Sequence, residues 1–319
     1  MIVDPYLQKT LKERAIFSLD RTVLPMLPEL YEGVVIPVRR WIYDLAVRGR
    51  VNRLVSERLA EWPSVFTNIE IETVNRCNND CPFCPANRGA DRRAHAVMGR
   101  RLFTSIVRQL GEIGFRGNLA LYSNNEPLLD PRIAELAREA RGAVPGSFIY
   151  IFTNGTLLTP GLYTELMGSL DLIVINNYSD DLKLLPQVRE IERASRSDPG
   201  RYGRTKIVLR RKSEFRTNRA GQSPNRRRRL GLTSACIYPF SQMVVRPDGK
   251  LSLCCNDAWG ATTMGDLSET AILDCWFGER YKEARRKIIR GRKCLSPCRE
   301  CDNLTTGHIE EVPLKLGFN

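Results

Sequence analysis

The sequence predicts an α/β chain, with a parallel sheet in the middle, a helical extension before it and a cysteine-rich segment after it. Strand-like and helix-like stretches alternate between residues 68 and 210, the first 65 residues are basic with helical patterning, and seven of the ten cysteines lie beyond residue 234. Strand, helix, strand units joined by right-handed crossovers build a parallel sheet, and the loops leaving its C-terminal edge carry function.

In the opening stretch, Val38, Trp41, Ile42, Leu45, Leu54, Val55 and Leu59 fall near helical spacing, with Arg39, Arg40, Arg48, Arg53 and Arg58 between them. The pattern reads as a helical extension packed on the main domain; a basic amphipathic helix also suits a membrane surface or a docking partner. Residues 68–74 (NIEIETV) read as the first strand. Glu70 and Glu72 alternate there with Ile69 and Ile71, so both carboxylates point to one face, and buried carboxylates need partners, which favours a polar cavity. The rhythm then runs helix 101–113, strand 118–123, helix 131–141, strand 147–153, helix 162–170, strand 171–176, helix 181–194 and strand 205–210. Beyond it stand a hairpin signal at Arg246, Pro247, Asp248 and Gly249 and a helix near residues 267–289. The expected organisation is a basic helical extension over 1–65, a core over 66–233 and a cysteine-rich domain over 234–319.

With 42% hydrophobic and 27% charged residues in 319, the chain has the composition of an ordinary globular protein and not of a disordered one. No window reaches the roughly 18 consecutive apolar residues of a membrane span. The start, MIVDPYLQKTLKERAIF, lacks a secretory apolar stretch and cleavage site, so a cytoplasmic location is expected. A net charge of +13 calls for an anionic partner or surface. Nine basic residues against Glu214 fall between Arg210 and Arg229, ending in Arg226, Arg227, Arg228 and Arg229; with no interleaved aromatic, this run reads as a solvated loop and not as a nucleic-acid reader.

Ten cysteines in a reducing compartment indicate metal or redox chemistry rather than disulfides. Cys77, Cys81 and Cys84 lie in RCNNDCPFC, directly after the first strand. Zinc takes four ligands, commonly as two pairs, whereas an iron–sulfur cluster held by three thiolates leaves one iron open. This C-x3-C-x2-C loop resembles that of the radical S-adenosylmethionine (SAM) family, with a zinc loop as the competing reading. The resemblance implies a partial (β/α)6 barrel and a [4Fe-4S] cluster on Cys77, Cys81 and Cys84. It further implies bound SAM, whose amine and carboxylate complete the open iron, and a 5'-deoxyadenosyl radical that abstracts a substrate hydrogen.

The same resemblance implies cofactor contacts. Ser123, Asn124, Asn125, Glu126 and Pro127 stand where the family has a GGEP-like turn that holds the SAM amine; both glycines are replaced, and Asn125 and Glu126 are the candidate contacts. Thr153, Asn154 and Gly155 look like the polar turn near the ribose. Phe83 matches a position beside the adenine, although a core aromatic would look the same.

Cys236, Cys254, Cys298 and Cys301 resemble the ligands of the SPASM and twitch extensions, in the single-cluster form found in cyclitol and aminoglycoside dehydrogenases. One auxiliary [4Fe-4S] cluster is therefore expected, although four thiolates would equally satisfy a zinc ribbon. Neighbours on a strand point to opposite faces, so Cys255 is expected to turn from the cluster toward substrate. There it resembles the hydrogen-donating cysteine of radical SAM epimerases; the alternative is a small buried apolar side chain. Cys275 reads as core, and Cys294 as a spare thiol or an exchanged ligand. Arg219 follows the last strand and suits the SAM carboxylate or substrate hydroxyls, or else is a surface arginine of a basic loop.

The expected function is epimerisation of a carbon in a hydroxylated metabolite (sugar, cyclitol or aminoglycoside), with Cys255 as hydrogen donor and Arg219 at the cavity. The alternatives are dehydrogenation of a secondary alcohol, with the auxiliary cluster as electron acceptor, and modification of a peptide. The expected partners are a small-molecule substrate and a reductant such as flavodoxin or ferredoxin.

Overall fold

A computed structural model describes residues 2–3, 27, 30–60, 65–213, 217–225 and 232–303. The run Arg226 to Arg229 lies outside the described residues. Eight strands form one sheet: β1 (Ile2–Val3), β2 (Asn68–Ile71), β3 (Asn118–Ala120), β4 (Phe148–Thr153), β5 (Leu172–Tyr178), β6 (Thr205–Arg210), β7 (Gln242–Val245) and β8 (Leu251–Ser252). Their order is β1-β6-β5-β4-β3-β2-β7-β8, and every pairing is parallel except the β7–β8 hairpin. The cysteine-rich segment thus joins the core sheet directly, because β7 pairs with β2 from Asn68 against Gln242 to Ile71 against Val245.

Alternation sorts the side chains of the central strands. Ile69, Leu119, Ile149 and Ile173 are fully buried toward the helices. Glu70, Ala120, Tyr150 and Leu172, in register with one another, form a row on the opposite, inner face. Helices α2 (Arg100–Glu112), α3 (Ile133–Ala143), α4 (Pro160–Met167) and α5 (Pro186–Arg196) close the outer face. In α2 the buried positions Phe103, Ile106, Val107 and Leu110 follow the i, i+3, i+4, i+7 stripe of an amphipathic helix.

Three expectations about elements are corrected. The helix expected over 181–194 starts only at Pro186, because Asn177 first bridges Lys183 O (2.9 Å) and Leu185 N (2.8 Å), holding those residues in a turn with Leu182 at φ 58°. After the short helix α6 (Pro199–Gly203), the long helix expected near 267–289 is two, α7 (Ile272–Trp276) and α8 (Glu279–Ile289), broken around Phe277 and Gly278. A Cβ at Gly278 would lie 2.8 Å from Asp274 O, so the break needs glycine.

The N-terminal helix, residues Ile36–Ala60, precedes α2 and is α1. Its packed side is not the expected one. Asp44, Val51 and Val55 are buried, whereas Val38, Trp41, Ile42 and Leu45 are exposed; the side chains of Leu54 and Leu59 lie outside the description. Polar contacts set the rotation: Asp44 accepts from Thr233 N (2.9 Å) and Ser234 N (3.1 Å), and Asn52 accepts from Ala235 N (3.0 Å).

Candidate active site

The loops after β2, β3 and β4, the C-terminal end of β5 and the segment after β6 meet at the C-terminal edge of the sheet around one cavity with about 830 Å3 of atom-free space, part of it open to solvent. Cys77, Cys81 and Cys84 all line it, as do Phe83, Asn125, Glu126, Thr153, Asn154 and Arg219. Gly155 does not. It sits at φ 76°, and a Cβ there would meet Ile175 Cγ2 at 2.6 Å and Val188 Cγ2 at 2.9 Å, so its part is to let the turn pack on β5 and α5.

The trio sits on a loop held from several sides. Asn79 N donates to Cys77 Sγ at 3.4 Å, Asn154 Nδ2 donates to Asn78 Oδ1 at 2.8 Å, and Ser223 Oγ donates to Phe83 O at 2.7 Å. Burial pushes the Cys77 and Cys81 thiols up to about 12, so loading iron onto them must displace protons. Phe83 and Tyr178 face one another across the cavity wall, with ring centroids 5.7 Å apart.

Glu126 is an internal tie more than an open acceptor. Its Oε1 accepts from Leu128 N (3.1 Å) and Thr153 Oγ1 (2.6 Å), and its Oε2 from Asn154 N (2.7 Å). Burial pushes its carboxyl up to about 7 against those three bonds. The groups left without a protein partner are the amides beside it: Asn125 Nδ2 and Asn124 Oδ1 are buried and unsatisfied, and both residues line the cavity. One unspent donor and one unspent acceptor beside three thiols fit the carboxylate and ammonium of an amino-acid moiety. The substitution of both expected glycines therefore adds polar side chains where the family pattern offers backbone. Arg93 braces this turn, donating to Asn124 O (3.0 Å) and pairing with Glu72 (2.8 Å) and Asp91 (2.9 Å). Burial drives the Glu72 carboxyl upward and Arg93 opposes it.

Behind the lining residue Ser123, buried Glu70 does not itself line the cavity: its Oε2 accepts from Ser123 Oγ and its Oε1 from Gln242 Nε2, each at 2.7 Å. With only neutral donors in contact, burial pushes Glu70 up to about 7, with Arg219 acting against the rise. Gln242 Oε1 in turn accepts from Cys255 N at 3.1 Å, and Cys255 O accepts from Asn124 Nδ2 at 3.0 Å and Arg219 Nη1 at 3.4 Å. Cys255 therefore neighbours the cavity, with Glu70, Arg219, Tyr122 and Tyr150 as the charged and phenolic groups around its thiol. The strand premise behind this expectation fails, since β8 ends at Ser252 and Cys254 and Cys255 lie in the turn beyond it. Asp257 shapes that turn, its N donating to Cys254 O (3.0 Å) and its carboxylate accepting from Ala261 N (2.7 Å) and Thr262 N (2.9 Å).

Arg219 is no surface arginine of a basic loop. It stands at φ 49° and Ala220 at φ 52°, a strained pair for residues with a Cβ. The conformation is held because Asn218 N donates to Asp302 Oδ1 (2.7 Å) while Asp302 N returns to Asn218 Oδ1 (3.3 Å).

On the far side of Cys255, a second cavity is lined by Cys236, Cys254, Cys298 and Cys301, with Asp257 and Arg292. Arg292 is almost wholly buried beside them, donating to Ser234 O (3.1 Å), to Asn303 O (2.7 Å) and to Cys301 Sγ (3.7 Å). A buried cation beside four thiols, with burial raising those of Cys254, Cys298 and Cys301, fits an anionic thiolate-held cluster. Exposed Cys294 does not line this cavity, which sets aside its reading as an exchanged ligand; Cys275 is buried against Gly265. Among the described residues no three Cys, His, Asp or Glu side chains converge closely enough to hold a single metal ion. Sequence reasoning missed Asn218, Ser123, Asn124 and Gln242; only the polar character of Asn124 and Ser123 inside the recognised turn could have marked two of them.

A partial parallel barrel with three thiols and two half-satisfied amides at its C-terminal edge, followed by a four-thiol cavity, defines an iron–sulfur enzyme of radical chemistry. Residues 71–189 match the radical SAM superfamily, and residues 236–302 match SPASM, an iron–sulfur cluster-binding domain. The chain is a radical SAM enzyme with a SPASM extension, and its cofactors are SAM, a [4Fe-4S] cluster and an auxiliary iron–sulfur centre. It is similar to an S-adenosyl-L-methionine-dependent 2-deoxy-scyllo-inosamine dehydrogenase of Niallia circulans, 24% identical over 255 residues, covering 79% of this chain and 99% of that one. Among solved structures it is similar in fold to BtrN in complex with AdoMet and 2-DOIA (TM-score 0.65, 21% identity, 76% of this chain and 96% of that chain). It also resembles Streptococcus suis SuiB bound to precursor peptide SuiA (TM-score 0.52, 13% identity, 77% and 73%). No described helix is long and apolar enough to cross a membrane.

Proposed function

We propose that the enzyme removes a hydrogen atom from a carbinol carbon of a small hydroxylated metabolite, a cyclitol or aminoglycoside, and that Cys255 returns one to the opposite face, inverting the carbon. The observation that supports this is that the Cys255 carbonyl is bound to Asn124 and Arg219 of the first cavity while the preceding Cys254 lines the second. Cys77, Cys81 and Cys84 would hold the SAM-binding cluster, and Cys236, Cys254, Cys298 and Cys301 one auxiliary cluster. Reduced by one electron, bound SAM supplies a primary-carbon radical able to take the substrate hydrogen.

The chain's own residues do the rest. Asn125 Nδ2 and Asn124 Oδ1 orient the methionyl end of SAM, and Phe83 and Tyr178 flank its base. Ionised Glu70 accepts a hydrogen bond from the substrate hydroxyl, which weakens the adjacent C–H bond, and Arg219 orients a neighbouring oxygen. Cys255 gives its S–H hydrogen to the substrate radical, so a C–H bond forms as the S–H bond breaks. Regeneration of the thiol takes one electron from an external reductant, such as flavodoxin or ferredoxin, and one proton from solvent.

A second reading, oxidation of the same carbon to a carbonyl, is favoured by the name of the Niallia circulans relative and by Glu70, which is poised near neutrality to take the hydroxyl proton. Turnover of aminocyclitols in deuterated water separates the two. One solvent deuterium at a carbon-bound position per inverted product supports the proposal; a carbonyl product without deuterium overturns it in favour of oxidation.

A further inference from the structure

The exposed side of α1 carries a feature that the chemistry does not use. Val38, Trp41, Ile42 and Leu45 stand at i, i+3, i+4 and i+7 and are 48%, 59%, 56% and 44% exposed; Leu30 and Val34 lie on the stretch that leads into the helix. Of the eleven large apolar side chains that are exposed among the described residues, seven fall between Leu27 and Leu45, so the patch is a concentration and not scatter. Nor can the helix roll to hide it. The carboxylate of Asp44 is fixed by Thr233 and Ser234, and Asn52 by Ala235, while Val51 and Val55 fill the interior side.

Charge says what this stripe meets. Residues 36–60 contain six arginines against Asp44 and Glu57, and Asp44 is spent on its internal donors. Arg50 and Arg53 are exposed. A second copy of the chain would bring the same +13 against this face, which like charges oppose. The stripe is also one helix edge, a convex ridge that a fluid lipid interface accommodates more readily than a rigid protein surface.

We propose that α1 lies on an anionic lipid bilayer, with Val38, Trp41, Ile42 and Leu45 in the headgroup–acyl boundary and Arg50 and Arg53 at the phosphates. A basic helix with an apolar face binds in the plane of the interface through both its buried area and its charge.

The test uses the full chain and sedimentation with vesicles of phosphatidylcholine, with or without one-third phosphatidylglycerol. Binding is expected only to the anionic vesicles, with loss at high salt and with quenching of Trp41 by brominated acyl chains. Trp41→Asp combined with Ile42→Asp abolishes binding, and Arg50→Gln with Arg53→Gln weakens it roughly thirtyfold. SAM cleavage is unchanged in both variants, which shows that they are folded. Failure of the wild-type chain to bind anionic vesicles overturns the proposal. So does full binding by the Trp41→Asp, Ile42→Asp variant, and so does patch-dependent dimerisation without lipid binding, which would give this face to a second copy.

Discussion

Glu70 and Cys255, far apart in sequence, are held at the two ends of one side-chain amide: Gln242 donates to the Glu70 carboxylate at 2.7 Å and accepts from Cys255 N at 3.1 Å. The pairing of β7 with β2 makes this possible, because it sets Gln242 opposite Asn68, two residues before Glu70. A carboxyl poised near neutrality and a thiol are thereby fixed behind Ser123, Asn124 and Arg219, which line the cavity of the cysteine trio.

Cys255→Ala separates hydrogen removal from hydrogen return. The variant is expected to release 5'-deoxyadenosine in the presence of substrate while its product loses solvent deuterium. Undiminished deuterium in the product, read by mass spectrometry, would show that another group donates.

Glu70 makes the rate depend on pH. Activity is expected to rise with pH through about 7 as its carboxyl ionises, and Glu70→Gln to lose this limb and on the order of a hundredfold in rate. The same group acts on stability with a definite sign. Its folded value lies above the unfolded one, so its contribution is complete below pH about 4.5 and is lost as pH rises through about 7, on the order of 3 kcal/mol. Denaturant titrations at several pH values should show that loss in the wild type and not in Glu70→Gln.

The two thiol sets separate by iron content and by SAM cleavage. Alanine at Cys77, Cys81 or Cys84 is expected to abolish SAM cleavage. Cys236→Ala and Cys298→Ala should lower bound iron while the reduced protein still cleaves SAM. Their stability falls as well, because Arg292 then stays buried without its anionic neighbours. Iron analysis and 5'-deoxyadenosine release after anaerobic reconstitution measure both outcomes.

Gly155→Ala tests the turn after β4. A left-handed φ of 76° and the collision with Ile175 and Val188 together predict a loss of about 2–4 kcal/mol in urea unfolding. If Gly155 instead served only the cofactor, stability would stay unchanged and SAM binding alone would suffer.

Much of this was legible in the chain. Strand and helix periodicity located the alternating core, and the cysteine spacings separated two thiol sets that do line two separate cavities. Both signals are local, carried by residues within a few positions of one another. Where a second local effect competed, the reading slipped: Asn177 delayed the helix to Pro186, and Gly278 divided a continuous periodic stretch. The apolar stripe of α1 was legible too, but its orientation was not, because the hydrogen bonds of Asp44 with Thr233 and Ser234 outrank the stripe in choosing the packed side.

By itself the sequence determined the class of cofactor and the parallel architecture, since thiol spacing and side-chain alternation are properties of short segments. Only the tertiary structure decided what surrounds the chemistry. It brought Gln242 between Glu70 and Cys255, locked Arg219 through Asn218 and Asp302, and left one polar atom of Asn124 and one of Asn125 without a partner beside the cavity. Those outcomes depend on which strand pairs with which and on what burial does to each polar group, and neither is encoded within any one stretch of the chain.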